Sequence, residues 1–204
     1  MGIVSRKVLC VVLFVLAATA CYSACADESQ QQKADRGAYV RFSNWGLSFE
    51  HPREWEHYAA SQVETMKQYV ARGLRPYGRN LAELAMLVGP NQGIALLVSK
   101  YTTATAMTPA EFIKERNQVY ADAKRAGDVT KVNHVKERVV AALPAVEEDV
   151  ERSNGGRGRT LKILNGTTIF ELSFIANEGS QFPKYSAAID RLVASIQVAG
   201  TGRP

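Results

Sequence analysis

Two arginines beside a glycine-rich turn, three histidines and a set of alternating carboxylates are the groups with most capacity for chemistry in this 204-residue chain. The turn is Asn154-Gly155-Gly156-Arg157-Gly158-Arg159. Successive glycines can present backbone N–H groups while two guanidinium groups clamp a carboxylate or phosphate. Arg157 and Arg159 are therefore the candidate residues for binding an anion or an acidic partner, against the plainer reading of a connection between strands. The stretch lacks the lysine and the Ser/Thr of a P-loop, so it implies no nucleotide chemistry. Glu147, Asp149 and Glu151 fall at i, i+2 and i+4, on one face of a strand. They are expected as a solvated face paired with Arg157, Arg159 or Lys162, since calcium sites draw their ligands from a bent loop. His51, His57 and His134 show neither His-x-x-x-His nor Glu-x-x-His spacing, and no Gly-x-Ser-x-Gly elbow accompanies them. No catalytic residue, metal ligand set or cofactor is assigned. The enzymatic alternative is a small hydrolase using His51 or His57, and a further one is a carrier of a small anion at Arg157 and Arg159.

Cys21 carries a different chemistry. Arg6 and Lys7 precede a 13-residue apolar run, Val8 to Ala20, with small residues after it. This is the layout of a secretory signal peptide, and the run is too short to span a bilayer. Ala18-Thr19-Ala20-Cys21 resembles a lipobox, in which Cys21 is acylated and becomes the mature N-terminus; it has alanine at position 18, where leucine is usual. The alternative is cleavage after Ala26, in Ala24-Cys25-Ala26. The lipoprotein is preferred because Cys21 directly follows the apolar run. All three cysteines lie in the first 25 residues, so the rest of the chain has no thiol chemistry. Losing Arg6 and Lys7 with the leader lowers the formal charge from +5 by two, to +3. A nucleic-acid partner is not expected at that charge.

These groups need elements to position them. Residues 1–20 form the leader and 21–37 a polar tether containing three consecutive glutamines. One domain follows over 38–198, and 199–204 form a disordered tail. Trp45, Leu47 and Phe49 alternate with Gly46, Ser48 and Glu50, the period of a half-buried strand, and Pro52 stops it. Trp55 then closes over the end of the core. Ser61-x-x-Glu64 predicts a capped helix to about Gly73. Leu81–Val88 and Ile94–Tyr101 predict a hairpin. Thr108-Pro109-Ala110-Glu111 joins a capping box to proline at the first helical position, and Gly127 ends that helix. Val129–Ala142 and Ala145–Ser153 are predicted strands broken at Pro144. Asn165-Gly166 demands a tight hairpin placing Leu161 opposite Phe170, Ile163 opposite Thr168 and Arg159 opposite Leu172. Lys162 and Glu171 then point to the other face. Pro183 starts a last helix with Tyr185, Ile189, Leu192, Val193 and Ile196 on one stripe.

Hairpins dominate and no Gly-rich βα turn is present, so the expected class is α+β: an antiparallel sheet sandwiched by helices. The segments GLSFEHPREW (46–55), IALLVSKY (94–101), TPAEFIKERNQVYADAKRAG (108–127), LKILNGTTIFELSFIA (161–176) and FPKYSAAIDRLVASIQV (182–198) support a closer comparison. In that order they resemble the PsbP-like fold, shared by the photosystem subunit PsbP, a Ran-binding nuclear factor and bacterial DcrB-type lipoproteins. DcrB-type proteins resemble this chain most, having a leader, a polar tether and one such domain. The resemblance implies a helix–sheet–helix sandwich and a non-enzymatic binding or assembly role. The expectation is an exported, lipid-anchored module of the bacterial cell envelope. Its expected partners are a protein or envelope component and, through the anchor, the membrane.

Overall fold

The computed structural model describes residues 38–200. The leader, Cys21, the cut after Ala26, the tether and residues 201–204 of the tail lie outside the described residues. Among the described residues ten strands and three α-helices form two sheets and their covering layers. A three-stranded sheet has the order β1–β2–β10, with β1 Tyr39–Asn44, β2 Leu47–Pro52 and β10 Gln197–Val198. The larger sheet has the order β3–β4–β5–β9–β8–β7–β6 and is antiparallel throughout. Its strands are β3 Glu56–His57, β4 Asn80–Val88, β5 Ala95–Thr102, β6 Val129–Val140, β7 Leu143–Arg152, β8 Arg157–Asn165 and β9 Thr168–Ala176. Helices α1 Ala60–Leu74, α2 Pro109–Ala126 and α3 Ser186–Ala194 complete the domain.

The alternation in β2 does its expected work. Leu47 and Phe49 are fully buried, and Phe42 of β1 stacks on Phe49 at 4.7 Å between ring centroids. Trp45 is not part of that strand. It sits with Gly46 in the β1–β2 turn, both at positive φ (57° and 86°), because the chain reverses there to bring β1 alongside β2. Trp55 buries its ring in the core beyond Pro52, while its backbone N–H donates to the Pro52 carbonyl.

The larger sheet buries a different core on each face. One face meets α3 and the three-stranded sheet through Leu96, Val98, Leu161, Ile163, Leu172 and Phe174 against Ile189, Leu192 and Val193. The other face carries a smaller core of Tyr101, Phe112, Val146, Leu164 and Ile169, next to Leu74 of α1 and Ile113 of α2. Helix α2 begins on the predicted capping box, Thr108 and Glu111 each satisfying the other's backbone N–H, and ends at Gly127 with φ 80°.

Three local expectations are corrected. Helix α1 starts at Ala60 with Ala59 as its N-cap and no side-chain cap, so the Ser61–Glu64 box does not form; Ser61 already lies inside the first turn. The break after β6 falls at Ala141-Ala142 rather than at Pro144, which is strand residue opposite Val139. Pro144 is tolerated because pairing of β7 with β8 begins only at Ala145. The β8–β9 loop is Gly166-Thr167, with Asn165 paired to Thr168, so Leu161 faces Leu172 and Ile163 faces Phe170. This two-residue slip leaves every side chain on its predicted face, because the strand period is two. The chain also pairs further than expected at its end: Ala199 N–H donates to the Gly46 carbonyl.

Candidate functional site

Period-two alternation sends Glu148 and Val150 of β7, Gly158, Thr160 and Lys162 of β8, and Glu171, Ser173 and Ile175 of β9 to the face beneath α2. The register sets Glu148 opposite Thr160, Thr160 opposite Ser173, and Lys162 opposite Glu171. Arg116 and Tyr120 sit one turn apart on α2 and cover these groups, as i, i+4 neighbours on one helical face. Tyr77 and Arg79, just beyond α1, close the other side. Between them lies a cleft of about 340 Å³ with this polar floor.

The floor is an ion-pair cluster. Lys162 Nζ donates to Glu148 Oε1 at 2.7 Å and lies 3.7 Å from Glu171 Oε2. Arg116 Nε lies 3.1 Å from Glu148, and the Tyr120 hydroxyl donates to the same carboxylate. Glu171 accepts from Ser173 Oγ at 2.9 Å and from Tyr101 Oη at 3.3 Å. Burial pushes the Glu148 carboxyl up, but Lys162 and Arg116 beside it outweigh burial and hold it below its ordinary value. Burial and the Glu148 charge push the Tyr120 hydroxyl up. Burial and Glu171 do the same at Tyr101. Burial opposes the Arg116 charge, yet Glu148 raises that group further. These shifts all run away from neutral pH.

Arg157 and Arg159 lie in strand β8 rather than in a loop, on the face opposite the cleft. Arg157 makes a two-point contact with Asp149, at 3.1 and 2.8 Å, and stands over the Phe182 ring. Arg159 bridges Asp190 of α3 at 2.8 Å and Glu147 at 3.1 Å. The structure therefore brings the two arginines to Glu147 and Asp149, as the charge pattern predicts. Lys162 joins Glu148 instead. The carboxylates are not a solvated face: Glu147 and Asp149 are buried. Glu147 also meets Lys136 at 3.3 Å, His134 at 2.9 Å and Arg138. Burial opposes ionisation of Glu147, but Arg138 and Arg159 bring its carboxyl down to about 2. Among the described residues no cluster of three histidine, cysteine or acidic side chains has metal-binding geometry.

His51 is buried, its Nδ1 donating to the Pro52 carbonyl at 2.9 Å, and its ring meets His57 edge-on at 6.1 Å. Burial lowers its pKa. Neither histidine hydrogen-bonds a serine or a carboxylate among the described residues. The cleft itself was not singled out in the sequence, although two of its signals are present there. Lys162 and Glu171 share the face away from the core, and Arg116 and Tyr120 have helical spacing. What is absent from the sequence is the placing of α2 over β6 and β7.

No family model and no curated protein matches the chain. Solved structures do. The solution structure of cyanobacterial PsbP from Synechocystis matches with a TM-score of 0.51 and 11% identity, over 79% of this chain and 92% of that one. A Bacteroides thetaiotaomicron protein matches with a TM-score of 0.46 and 11% identity, over 81% of this chain and 50% of that one. A Pseudomonas aeruginosa protein of unknown function matches with a TM-score of 0.41 and 12% identity, over 81% and 98%. At such identities the likeness is one of fold, and the chain has a PsbP-like α+β fold.

Proposed function

We propose that this chain is an exported, lipid-anchored binding module of the cell envelope, of the DcrB-like kind, which recognises its partner through the polar cleft without chemistry. One observation carries the reading: the cleft floor is a buried ion-pair cluster in which Lys162 and Arg116 are both paired to Glu148. An acid–base catalyst works best with a pKa near the working pH. Here Glu148 is held down and Tyr120 and Tyr101 are pushed up, so these groups suit recognition of charge better than proton transfer. The leader, the lipobox-like Ala18-Thr19-Ala20-Cys21 and the tether support the address.

The address is tested by fatty-acid labelling and fractionation. Wild-type protein should incorporate a fatty-acid probe and sediment with membranes, and Cys21→Ser should be unlabelled and soluble, since the acyl chains hold by burying methylenes. An unlabelled wild type in the soluble fraction would favour cleavage after Ala26 and remove the anchor from the proposal.

A further inference from the structure

We infer that the cleft is a site for a small ligand bearing a carboxylate or phosphate group, gripped by Arg116 and Arg152. This rests on the cleft being the recognition site. Arg116 is fixed from behind: its Nε is taken by Glu148 and its guanidinium lies 4.8 Å from the Tyr120 ring centre. Apart from Glu148 and the neighbouring Tyr120, its guanidinium has no hydrogen-bond partner among the described residues, and the side chain is 18% exposed. A held guanidinium with its outer edge unused is the geometry that receives a planar oxyanion by two parallel hydrogen bonds. Arg152, at the end of β7 and lining the same cleft, is exposed and makes no ion pair among the described residues. Arg79 lines it too, 3% exposed, with its Nε buried and lacking a hydrogen-bond partner.

Net charge does not make the case. The lining cations Arg79, Arg116, Arg152 and Lys162 face Asp128, Glu148 and Glu171, and Glu115 pairs Arg79 from α2, so the charges balance. The difference lies in use: Glu148 and Glu171 are saturated by Lys162, Arg116, Tyr120, Tyr101 and Ser173, whereas Arg152 has no ion-pair partner among the described residues and Arg116 is held from one side only, by Glu148 and Tyr120. Asp128, on the rim, opposes an anion and should limit its affinity. The volume, at the lower end for ligand pockets, suits a small molecule.

The test is a heteronuclear NMR titration of the ¹⁵N-labelled full chain with sodium phosphate and, separately, sodium malonate, at constant ionic strength set with sodium chloride. The expected result is a saturable shift of the Gly73, Arg116, Arg152, Gly158 and Thr160 amides with at least one of the two. Response to phosphate alone, malonate alone or both assigns a phosphate ligand, a carboxylate ligand or a general oxyanion site. Arg116→Gln and Arg152→Gln should each weaken binding about tenfold or more, as loss of a charged hydrogen bond does, and Asp128→Asn should tighten it. Arg152 is exposed, so its variant answers the question even if Arg116→Gln unfolds. No saturable shift with either salt, or shifts unchanged in the Arg152 variant, would overturn the inference. If macromolecular capture at the cleft rim persists in cells despite that result, only the ligand class fails and the binding-module reading stands.

Discussion

Lys162 and Glu148 place opposite charges where water barely reaches, their side chains being 5% and 1% exposed. Removing one leaves the other uncompensated, which is costly in a buried pair. Lys162→Met should therefore lower unfolding free energy by about 3 kcal/mol, the low end for such pairs because Arg116 and Tyr120 still hold Glu148. Adding Glu148→Gln should recover at least about 1 kcal/mol, as coupled neighbours do. Urea melts of both variants check this, and strictly additive losses would contradict the pairing. Glu147, on the opposite face, makes a pH prediction. Its carboxyl falls from an ordinary 4.5 to about 2 in the folded state. A depressed carboxylate contributes stability that is complete above about pH 4.5 and is lost as pH falls toward 2. Between those values Glu147→Gln should lose stability less steeply than wild type, while being less stable at pH 7, where Arg138 and Arg159 lose their partner. Parallel stability curves from pH 7 to 3 would count against this ion-pair cluster.

Turn chemistry decides how much of each element can be read in advance. The Thr108–Glu111 box is complete in a short window, so α2 begins where its residues say. The Ser61–Glu64 pattern is equally complete and yet unused, since Ala59 takes the N-cap conformation two residues too early for Ser61 to serve. Both elements of the β1–β2 pair and the two-residue β10 are short, and β10 is defined by its partner Leu47–Ser48 rather than by its own pattern. The β6–β7 reversal is hidden for another reason. Ala141 and Ala142 sit at φ 52° and 62°, a two-residue turn that ordinarily asks for Asn-Gly. Alanine in the left-handed region costs roughly 1–2 kcal/mol per residue, so nothing in the composition announces the turn. Replacing the pair by Ala141→Asn and Ala142→Gly should raise stability by about 1 kcal/mol or more. A thermal melt no higher than wild type would show that this turn is not strained.

Across the described domain the two faces of the large sheet have different tasks. The face under α3 and the three-stranded sheet holds the larger apolar core, beside the ion pairs of Glu147 and Asp149 with Arg159 and Arg157, and that core was legible from the alternation of Phe49 and Leu161 and the helical stripe of Ile189. The face under α1 and α2 has a smaller core and gives its remaining area to Lys162, Glu148 and Glu171, met by Arg116 of α2. Alternation shows that such residues share a face. It does not show which helix covers them, because that depends on contacts between residues tens of positions apart. Recognition at this cleft can be read in intact cells with a photoreactive amino acid. It would replace Tyr77, which is 44% exposed on the cleft rim, or Val139, which is 75% exposed near the β6–β7 turn. Intact-mass measurement after illumination detects both protein and small-molecule adducts. Recognition at the cleft gives one defined adduct at Tyr77, none at Val139, and its loss when Lys162→Met and Glu148→Gln are introduced together; no adduct at Tyr77, or one formed equally at both positions, rules it out.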